Sequence, residues 1–186
     1  MHKAYETDRL VLKVLDERAA ESVLDYYLRN REFLEAWELR RTEAFYTPEA
    51  QAEQLLSDFK DFEEKRALRL WIFLKGDKDS SRTIGTIAFN NIVHGAFLSC
   101  FLGYKLDKSE INKGYITEAL KKGIEIIFDE YKLHRIEANI MPKNLRSLRI
   151  AEKLGFYNEG LAYRYLKING KWEDHIHMVL LNDKLE

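Results

Sequence analysis

The 186-residue chain lacks several features that mark particular classes of protein. One cysteine, Cys100, excludes an intramolecular disulfide and fits a reducing compartment, so we expect a cytoplasmic protein. Two prolines and no Gly/Ser-rich stretch leave no sign of a linker, which predicts a single domain over residues 1–186. No apolar run reaches the ~20 residues of a membrane span, and no apolar signal segment is visible near residue 1, so we expect no membrane partner.

The chain also has no excess of charge of one sign. Its 30 Lys+Arg residues against 31 Asp+Glu give a net charge of −1. Nucleic-acid-binding proteins usually carry a basic excess, so we expect no direct binding to nucleic acid. A composition of 46% apolar and 33% charged residues is typical of a globular protein with a core of its own.

Hydrophobic periodicity predicts the element order β-α-α-β-β-β-α-β-α-β-β. Strands are expected at 9–15, 68–74, 82–89, 97–106 and 134–141, and on both sides of the turn Asn169-Gly170. Helices are expected after Asp16, Thr47, Gly114 and Asn144. A helix joins the strand at 97–106 to the strand at 134–141, so these two should pair in parallel. The sequence therefore predicts an α/β fold whose mixed sheet is otherwise mostly antiparallel.

Two of these helix starts are candidate binding sites at the parallel joint, where ligands often enter an open sheet. The loop 108–117 runs through Lys113-Gly114, and its backbone N–H groups suit a phosphate or pyrophosphate, although Gly114 equally serves the turn. The patterns G-x-x-x-x-G-K-[ST] and G-x-G-x-x-G are absent, which argues against NTPase or Rossmann binding. Asn144 and Ser147 open the next helix, where they either cap it or line the same cleft.

The remaining chemistry-bearing residues form no recognisable motif. His175 and His177 share one face of a strand, but Cys100 and His134 complete no metal-ligand spacing, so we predict no metal site. Cys100 lies in an apolar strand, which is more typical of an inert core thiol than of a nucleophile.

Short motifs along nearly the whole chain nevertheless form a specific, ordered set. They are Thr7-Asp8-Arg9-Leu10, Asn30-Arg31-Glu32-Phe33-Leu34, Trp37-Glu38, Phe101-Leu102-Gly103-Tyr104, Lys113-Gly114-Tyr115, Thr117-Glu118-Ala119-Leu120, His134-Arg135-Ile136, Met141-Pro142, Asn144, Arg146-Ser147, Leu154-Gly155-Phe156, Glu159-Gly160, and Asn169-Gly170 with Trp172, Asp174 and His175. In this order they resemble the GNAT acetyltransferases, specifically the RimJ/RimL branch of protein N-terminal acetyltransferases.

The resemblance implies a GNAT fold with acetyl-CoA as cosubstrate, held in a cleft between two splayed parallel strands flanked by helices. Backbone groups of Leu102, Gly103 and Tyr104 would pair with the pantetheine arm. The loop residues that would hold the pyrophosphate are Asn112, Lys113, Gly114, Tyr115, Ile116 and Thr117. Asn144 would contact the pantetheine side, and Ser147 would protonate or hydrogen-bond the departing thiolate.

The chain departs from the family pattern at the phosphate loop and at the general base. The family loop reads [RQ]-x-x-G-x-[GA], whereas Ile111 and Ile116 occupy its first and last positions here, so backbone amides would carry the phosphate. The positions where relatives place a catalytic glutamate fall near Cys100 and Leu166. Glu159 is therefore the expected catalytic carboxylate, with His175 and His177 as alternative bases.

The resemblance implies acetyl transfer to an amine by direct attack in a ternary complex. The acceptor expected is the N-terminal alanine or serine of a protein, with a ribosomal protein as partner. An α-amino group of pKa ~7.8 is about 14% neutral at pH 7, against about 0.04% for a lysine side chain, so it needs little help from a base. The alternatives are a small amine such as a polyamine, antibiotic or amino acid as acceptor, and a non-catalytic ribosome-assembly factor. Dimers are common in the family, so a homodimer is compatible with it.

Acceptor contacts are expected from Trp37, Glu38 and Asn91, within the variable segments 30–45 and 90–94 and the last hairpin. The first segment carries Glu32, Glu35, Glu38 and Glu43, which would suit a cationic amine or a basic peptide. The same four carboxylates could simply form a solvated helix face.

Overall fold

The computed structural model describes residues 3–77 and 81–185 and confirms a mixed α/β fold. Its elements are β1 (Ala4–Glu6), β2 (Leu10–Lys13), α1 (Ala20–Glu35), α2 (Pro48–Glu63), β3 (Leu68–Leu74), β4 (Gly85–Val93), β5 (Ser99–Leu106), α3 (Tyr115–Asp129), β6 (Arg135–Ile140), α4 (Leu145–Lys153), β7 (Tyr157–Ile168) and β8 (Lys171–Leu181). The predicted order of elements is confirmed. The structure adds the short strand β1 before it, which the sequence did not predict because three residues are too few to show an alternation of apolar and polar residues. None of the described helices is long and apolar enough to cross a membrane.

The described strands form one sheet in the order β1-β2-β3-β4-β5-β6-β8-β7. The pair β5–β6 is parallel, as the crossover helix α3 requires, and every other neighbouring pair is antiparallel. The parallel register runs only from Ser99↔Arg135 to Phe101↔Glu137. Beyond Phe101 the two strands separate, and the chain ends of β5 and β6 diverge.

Two apolar layers cover the sheet. Leu68, Leu70 and Ile72 of β3 face a core that also contains Leu120 and Ile127 of α3. The alternate residues Trp71 and Phe73 face α1 and α2, where Val23, Tyr26 and Leu55 are buried. Because β3 is covered on both faces, it reads in the sequence as a nearly continuous apolar run.

Asp107 fixes the loop that joins β5 to α3. Its side chain is 5% exposed and lies 2.7 Å from Arg29 Nε and 3.1 Å from Arg82 Nη2. It also accepts hydrogen bonds from the backbone N–H and the hydroxyl of Ser109, at 2.9 and 2.8 Å. Burial alone would raise the pKa of Asp107, but these hydrogen bonds outweigh it and lower the pKa to about 2. The loop is thereby tied to α1 and to the residues that precede β4.

This carboxylate makes a pH-dependent contribution to stability. A folded pKa near 2 against an unfolded value of ~3.9 corresponds to about 2–3 kcal/mol, present above pH ~4 and lost as the pH falls through 2. We expect Asp107→Asn to lower the free energy of unfolding at pH 7 and to flatten its decline between pH 5 and 2. Urea unfolding at several pH values measures both effects. Asp8→Asn, an exposed carboxylate, is the control and should show the wild-type pH dependence.

Candidate active site

A cavity of about 820 Å³ lies where β5 and β6 separate. Four parts of the fold meet around it: the end of α1, the end of β5, the start of α3 and the start of α4. Its lining residues are Phe33, Leu34, Trp37, Tyr104, Lys105, Leu106, Ile111, Asn112, Gly114, Ile116, Thr117, Lys143, Asn144, Leu145, Arg146, Ser147, Arg149, Ile150 and Lys153. The two helix starts that the sequence singles out therefore open on the same space.

The loop that enters α3 is held in shape by Arg9. Gly114 is the residue before α3 and has φ +83°, a left-handed conformation that favours glycine. Arg9 Nη1 donates to the carbonyl of Lys113 at 3.0 Å, and Arg9 Nε lies 2.7 Å from Glu118 in the first turn of α3. The Arg9 guanidinium also stacks on the ring of Tyr115, 4.7 Å from its centroid. Arg9 thus fixes the loop whose residues Gly114, Ile116 and Thr117 line the cavity.

Tyr104 and Ser147 form a pair of hydroxyl groups on the cavity wall. Ser147 Oγ donates to the Tyr104 hydroxyl at 2.7 Å, and that hydroxyl donates to the backbone carbonyl of Ser147 at 3.0 Å. Asn144 caps α4 by accepting from the Ser147 N–H at 3.2 Å, as predicted from its position. Burial raises the pKa of Tyr104 to about 12, which keeps its hydroxyl protonated at physiological pH.

Basic side chains form one rim of the cavity. Arg146, Arg149 and Lys153 lie along α4, and Lys143 precedes it. Their spacing of three and four residues places the α4 side chains on one helix face. With the N-termini of α3 and α4, this rim makes the cavity favourable for an anion.

Several predicted cosubstrate-binding residues do not line this cavity. Leu102 is buried in the core between the sheet and α3. Gly103 lies next to it on the other face of β5, where it is exposed. The Lys113 ammonium lies 2.8 Å from Glu110, and Tyr115 packs beneath Arg9. The predictions that place backbone groups of these residues at the cosubstrate remain predictions.

The predicted acceptor-binding residues are dispersed. Trp37 lines the cavity, whereas Glu38 pairs with Lys105 and faces a smaller cavity beside it. Asn91 is an exposed residue of β4 with φ +50° and does not reach the main cavity.

The predicted catalytic Glu159 lies on β7, outside the lining of the cavity. Its carboxylate is paired with both terminal nitrogens of Arg135, one of them at 2.9 Å. This pairing lowers the pKa of Glu159 to about 2, so the group is a weak base at neutral pH.

The single thiol and one of the paired histidines are buried. Cys100 is 2% exposed, and burial raises its pKa to about 12, which disfavours the reactive thiolate. His175 is 2% exposed, with Nδ1 2.9 Å from the carbonyl of Glu173. His177 is half-buried, with Nδ1 2.7 Å from Glu137 Oε1. Both rings contact Tyr165, so the two histidines do share a face, as predicted.

The cavity fits the expected acetyl-CoA in size and in chemistry. A volume of about 820 Å³ lies within the ~300–1,000 Å³ range typical of ligand sites. The helix starts and the basic rim suit phosphate groups. The Tyr104–Ser147 pair at the gap between the strands suits a sulfur that gains negative charge.

Sequence reasoning missed the residues that support the site from a distance. Arg9 and Glu118 are 109 positions apart, and neither carries a local signal that they meet. Lys105 pairs with Glu38 and lies 4.9 Å from the ring centroid of Tyr27, although it reads as an ordinary polar strand residue. The basic rim could have been predicted from the sequence, because the spacing of Arg146, Arg149 and Lys153 already indicates a basic helix face.

Comparison with known proteins agrees with this geometry. Residues 9–157 match the family model described as an acetyltransferase (GNAT) domain. The chain is 38% identical over 170 residues to the [ribosomal protein uS5]-alanine N-acetyltransferase of Escherichia coli, covering 91% of this chain and 86% of that protein.

Two solved structures extend the likeness to the backbone. The ribosomal-protein-S5-alanine acetyltransferase of Vibrio fischeri has a TM-score of 0.92 at 33% identity, over 99% of each chain. The RimJ protein of Mycobacterium smegmatis, solved in complex with CoA-disulfide, has a TM-score of 0.87 at 28% identity, over 95% of this chain and 83% of that one. The chain therefore belongs to the GNAT acetyltransferase family and is an N-acetyltransferase that uses acetyl-CoA as its cosubstrate.

Proposed function

We propose that this enzyme acetylates the N-terminal α-amino group of a protein that begins with alanine or serine, with a ribosomal protein as the acceptor. The observation that carries the proposal is the open apolar surface beside the gap between β5 and β6. Trp37, Phe101 and Tyr165 are 36–38% exposed there. A small-molecule site encloses most of its ligand, whereas a chain terminus needs a groove that is open at one end.

The comparisons support the same acceptor. The Escherichia coli and Vibrio fischeri proteins are named for the alanine of one ribosomal protein, and each match covers nearly the whole chain. Family membership and those names favour an enzyme over a non-catalytic assembly factor.

Charge contributes less to acceptor choice than the sequence suggested. Of the four carboxylates between residues 30 and 45, Glu38 is paired with Lys105 and Glu43 with Arg31. Glu32 and Glu35 are exposed on the last turns of α1. Shape and apolar contact therefore outweigh selection for a basic peptide.

The cavity supports stabilisation of the leaving sulfur by hydrogen bonds. A thiol has a pKa of ~8.5, and Tyr104 has one of about 12, so full proton transfer from Tyr104 would be uphill by about 5 kcal/mol. Each hydroxyl of the Tyr104–Ser147 pair therefore turns its single hydrogen from its present partner toward the thiolate as the charge develops, and solvent supplies the proton of the thiol. The amine attacks the thioester carbon directly, and Cys100 takes no part because it is buried.

Acceptor choice is tested by measuring free CoA released from acetyl-CoA. We expect peptides that start with Ala or Ser to be acetylated with a kcat/KM at least about tenfold above spermidine, an aminoglycoside or free alanine, because only the peptides occupy the open surface. The same peptides with a blocked N-terminus are the control for lysine acetylation.

The outcomes separate the candidates. Release with the blocked peptides would indicate lysine side chains as acceptors. Release only with a small amine would contradict the proposed acceptor while leaving the acetyltransferase activity in place.

The hydroxyl pair is tested by Ser147→Ala and Tyr104→Phe. Each removes one hydrogen bond to a developing charge, worth about 1.5–3 kcal/mol, so kcat should fall by about 10- to 150-fold. The KM for acetyl-CoA should change much less, because the thiolate forms only as the C–S bond breaks. Ser57→Ala, which removes an exposed hydroxyl of α2, is the matched control. An unchanged kcat in both site variants would contradict this role.

A further inference from the structure

Four side chains near the point where β5 and β6 separate share one face of the sheet, and none of them is among the residues that line the cavity. Phe101 of β5 is paired with Glu137 of β6, Asn139 follows Glu137 by two residues, and Asn139 is paired with His177 of β8. Directly paired residues and residues two apart share a face. Lys105 shares the face of Phe101 on β5 and contacts Tyr27 of α1, so this is the face on which α1 packs.

Glu137 orients the imidazole of His177. His177 Nδ1 lies 2.7 Å from Glu137 Oε1, and Glu137 Oε2 accepts from Arg135 Nη2 at 2.8 Å. Burial alone would raise the pKa of Glu137, but the hydrogen bonds from Arg135 and His177 outweigh it and lower the pKa. Glu137 is therefore a carboxylate, and Nδ1 carries the hydrogen. In a neutral imidazole this leaves the lone pair on Nε2.

Asn139, which is paired with His177, supplies a second hydrogen-bond acceptor on this face of the sheet. Within the described residues, its buried Oδ1 has no hydrogen-bond partner. Asn139 lies two residues beyond Glu137, the last residue of β6 that is paired with β5. An unsatisfied buried hydrogen-bond acceptor is unfavourable, and an N–H donor that reaches it when the acceptor peptide binds would satisfy it. An amide oxygen and an imidazole nitrogen together suit an amino group that carries several donors.

We propose that His177 accepts the proton that the acceptor amine loses as it attacks acetyl-CoA, directly or through one water, and that Glu137 is its positioning residue. The proposal rests on the proposed function for its choice of acceptor. The amine nitrogen forms the new N–C bond, the C–S bond breaks, and the sulfur leaves with the electron pair. The amine proton passes to His177 Nε2, and the imidazolium then releases it to water. Atoms and charge balance without a further reactant.

The other groups around His177 are less suited to the task. Glu159 faces it from β7 but is held by Arg135, which also faces it from β6 beside Glu137. On β8 itself, His175 is more deeply buried, and its Nδ1 is held by a backbone carbonyl. The Tyr165 ring packs edge-on against His177 with 5.0 Å between centroids, which fixes the ring without adding a charge.

The pH dependence of peptide acetylation tests the proposal. In the wild type, both the α-amine and His177 must lose a proton, so log kcat/KM should rise with a slope of about 2 on the acid side. In His177→Gln only the amine titrates, so the slope should fall to about 1, and kcat should fall by about 10²- to 10⁴-fold at pH 7. In Glu137→Gln the slope of 2 should remain while kcat falls with little change in KM, because a neutral amide orients the imidazole less firmly than the carboxylate does.

Controls separate this role from a structural one. Glu53→Gln replaces an exposed carboxylate of α2, outside the predicted acceptor segments, and should keep the wild-type profile. Acetyl-CoA binding measured by calorimetry should be unchanged in the His177 and Glu137 variants, which shows that they fold.

Two results have distinct meanings. A slope of 2 in His177→Gln with acetyl-CoA binding intact would overturn the proton-acceptor role. Failure of the wild type to acetylate any peptide would contradict the proposed function, and the same slope comparison would then be made with the small amine that it does acetylate.

Discussion

The early end of pairing between β5 and β6 is the constraint on which the rest of the site depends. Three paired positions hold the strands together, and after Phe101 and Glu137 they diverge. The gap lets a cavity pass from the side of α3 and α4 to the side of α1. Helix starts, hydroxyl groups and basic side chains lie on one side of it, and the Glu137–His177 pair lies on the other. The two reactants can therefore approach from opposite faces and meet within the sheet.

Charge is arranged differently on the two sides. The side of α4 carries a basic rim with few carboxylates, which suits a cosubstrate rich in phosphate. The other side carries linked pairs of opposite sign, among them Arg135 with Glu137 and Glu159, and Lys105 with Glu38. Such pairs of opposite charge leave little net electrostatic field on this side to attract a charged ligand.

The order of elements and the parallel joint were predictable from the sequence because they depend on local signals. Thr47-Pro48 marks a helix start, Asn169-Gly170 marks a hairpin, and a strand-helix-strand unit requires a crossover. Asn144 and Gly114 were found for the same reason. The partners of Glu159 and His177 were not predictable, because the register between β6, β7 and β8 decides them. A shift of one residue would move His177 to the other face and away from Glu137.

The clamp formed by Arg9 has a consequence for the order in which the chain acquires structure. The loop before α3 is shaped by a contact that spans 109 residues, from the start of β2 to the first turn of α3. Local sequence preferences are enough to form helix α3. The loop conformation forms only when Arg9 reaches it, which requires β2 to pair with β3 in the sheet. Contacts of such high sequence separation form late and slow the folding of a domain. A chain emerging from the ribosome therefore acquires the conformation of the loop before α3 only after more than half of its length has been synthesised.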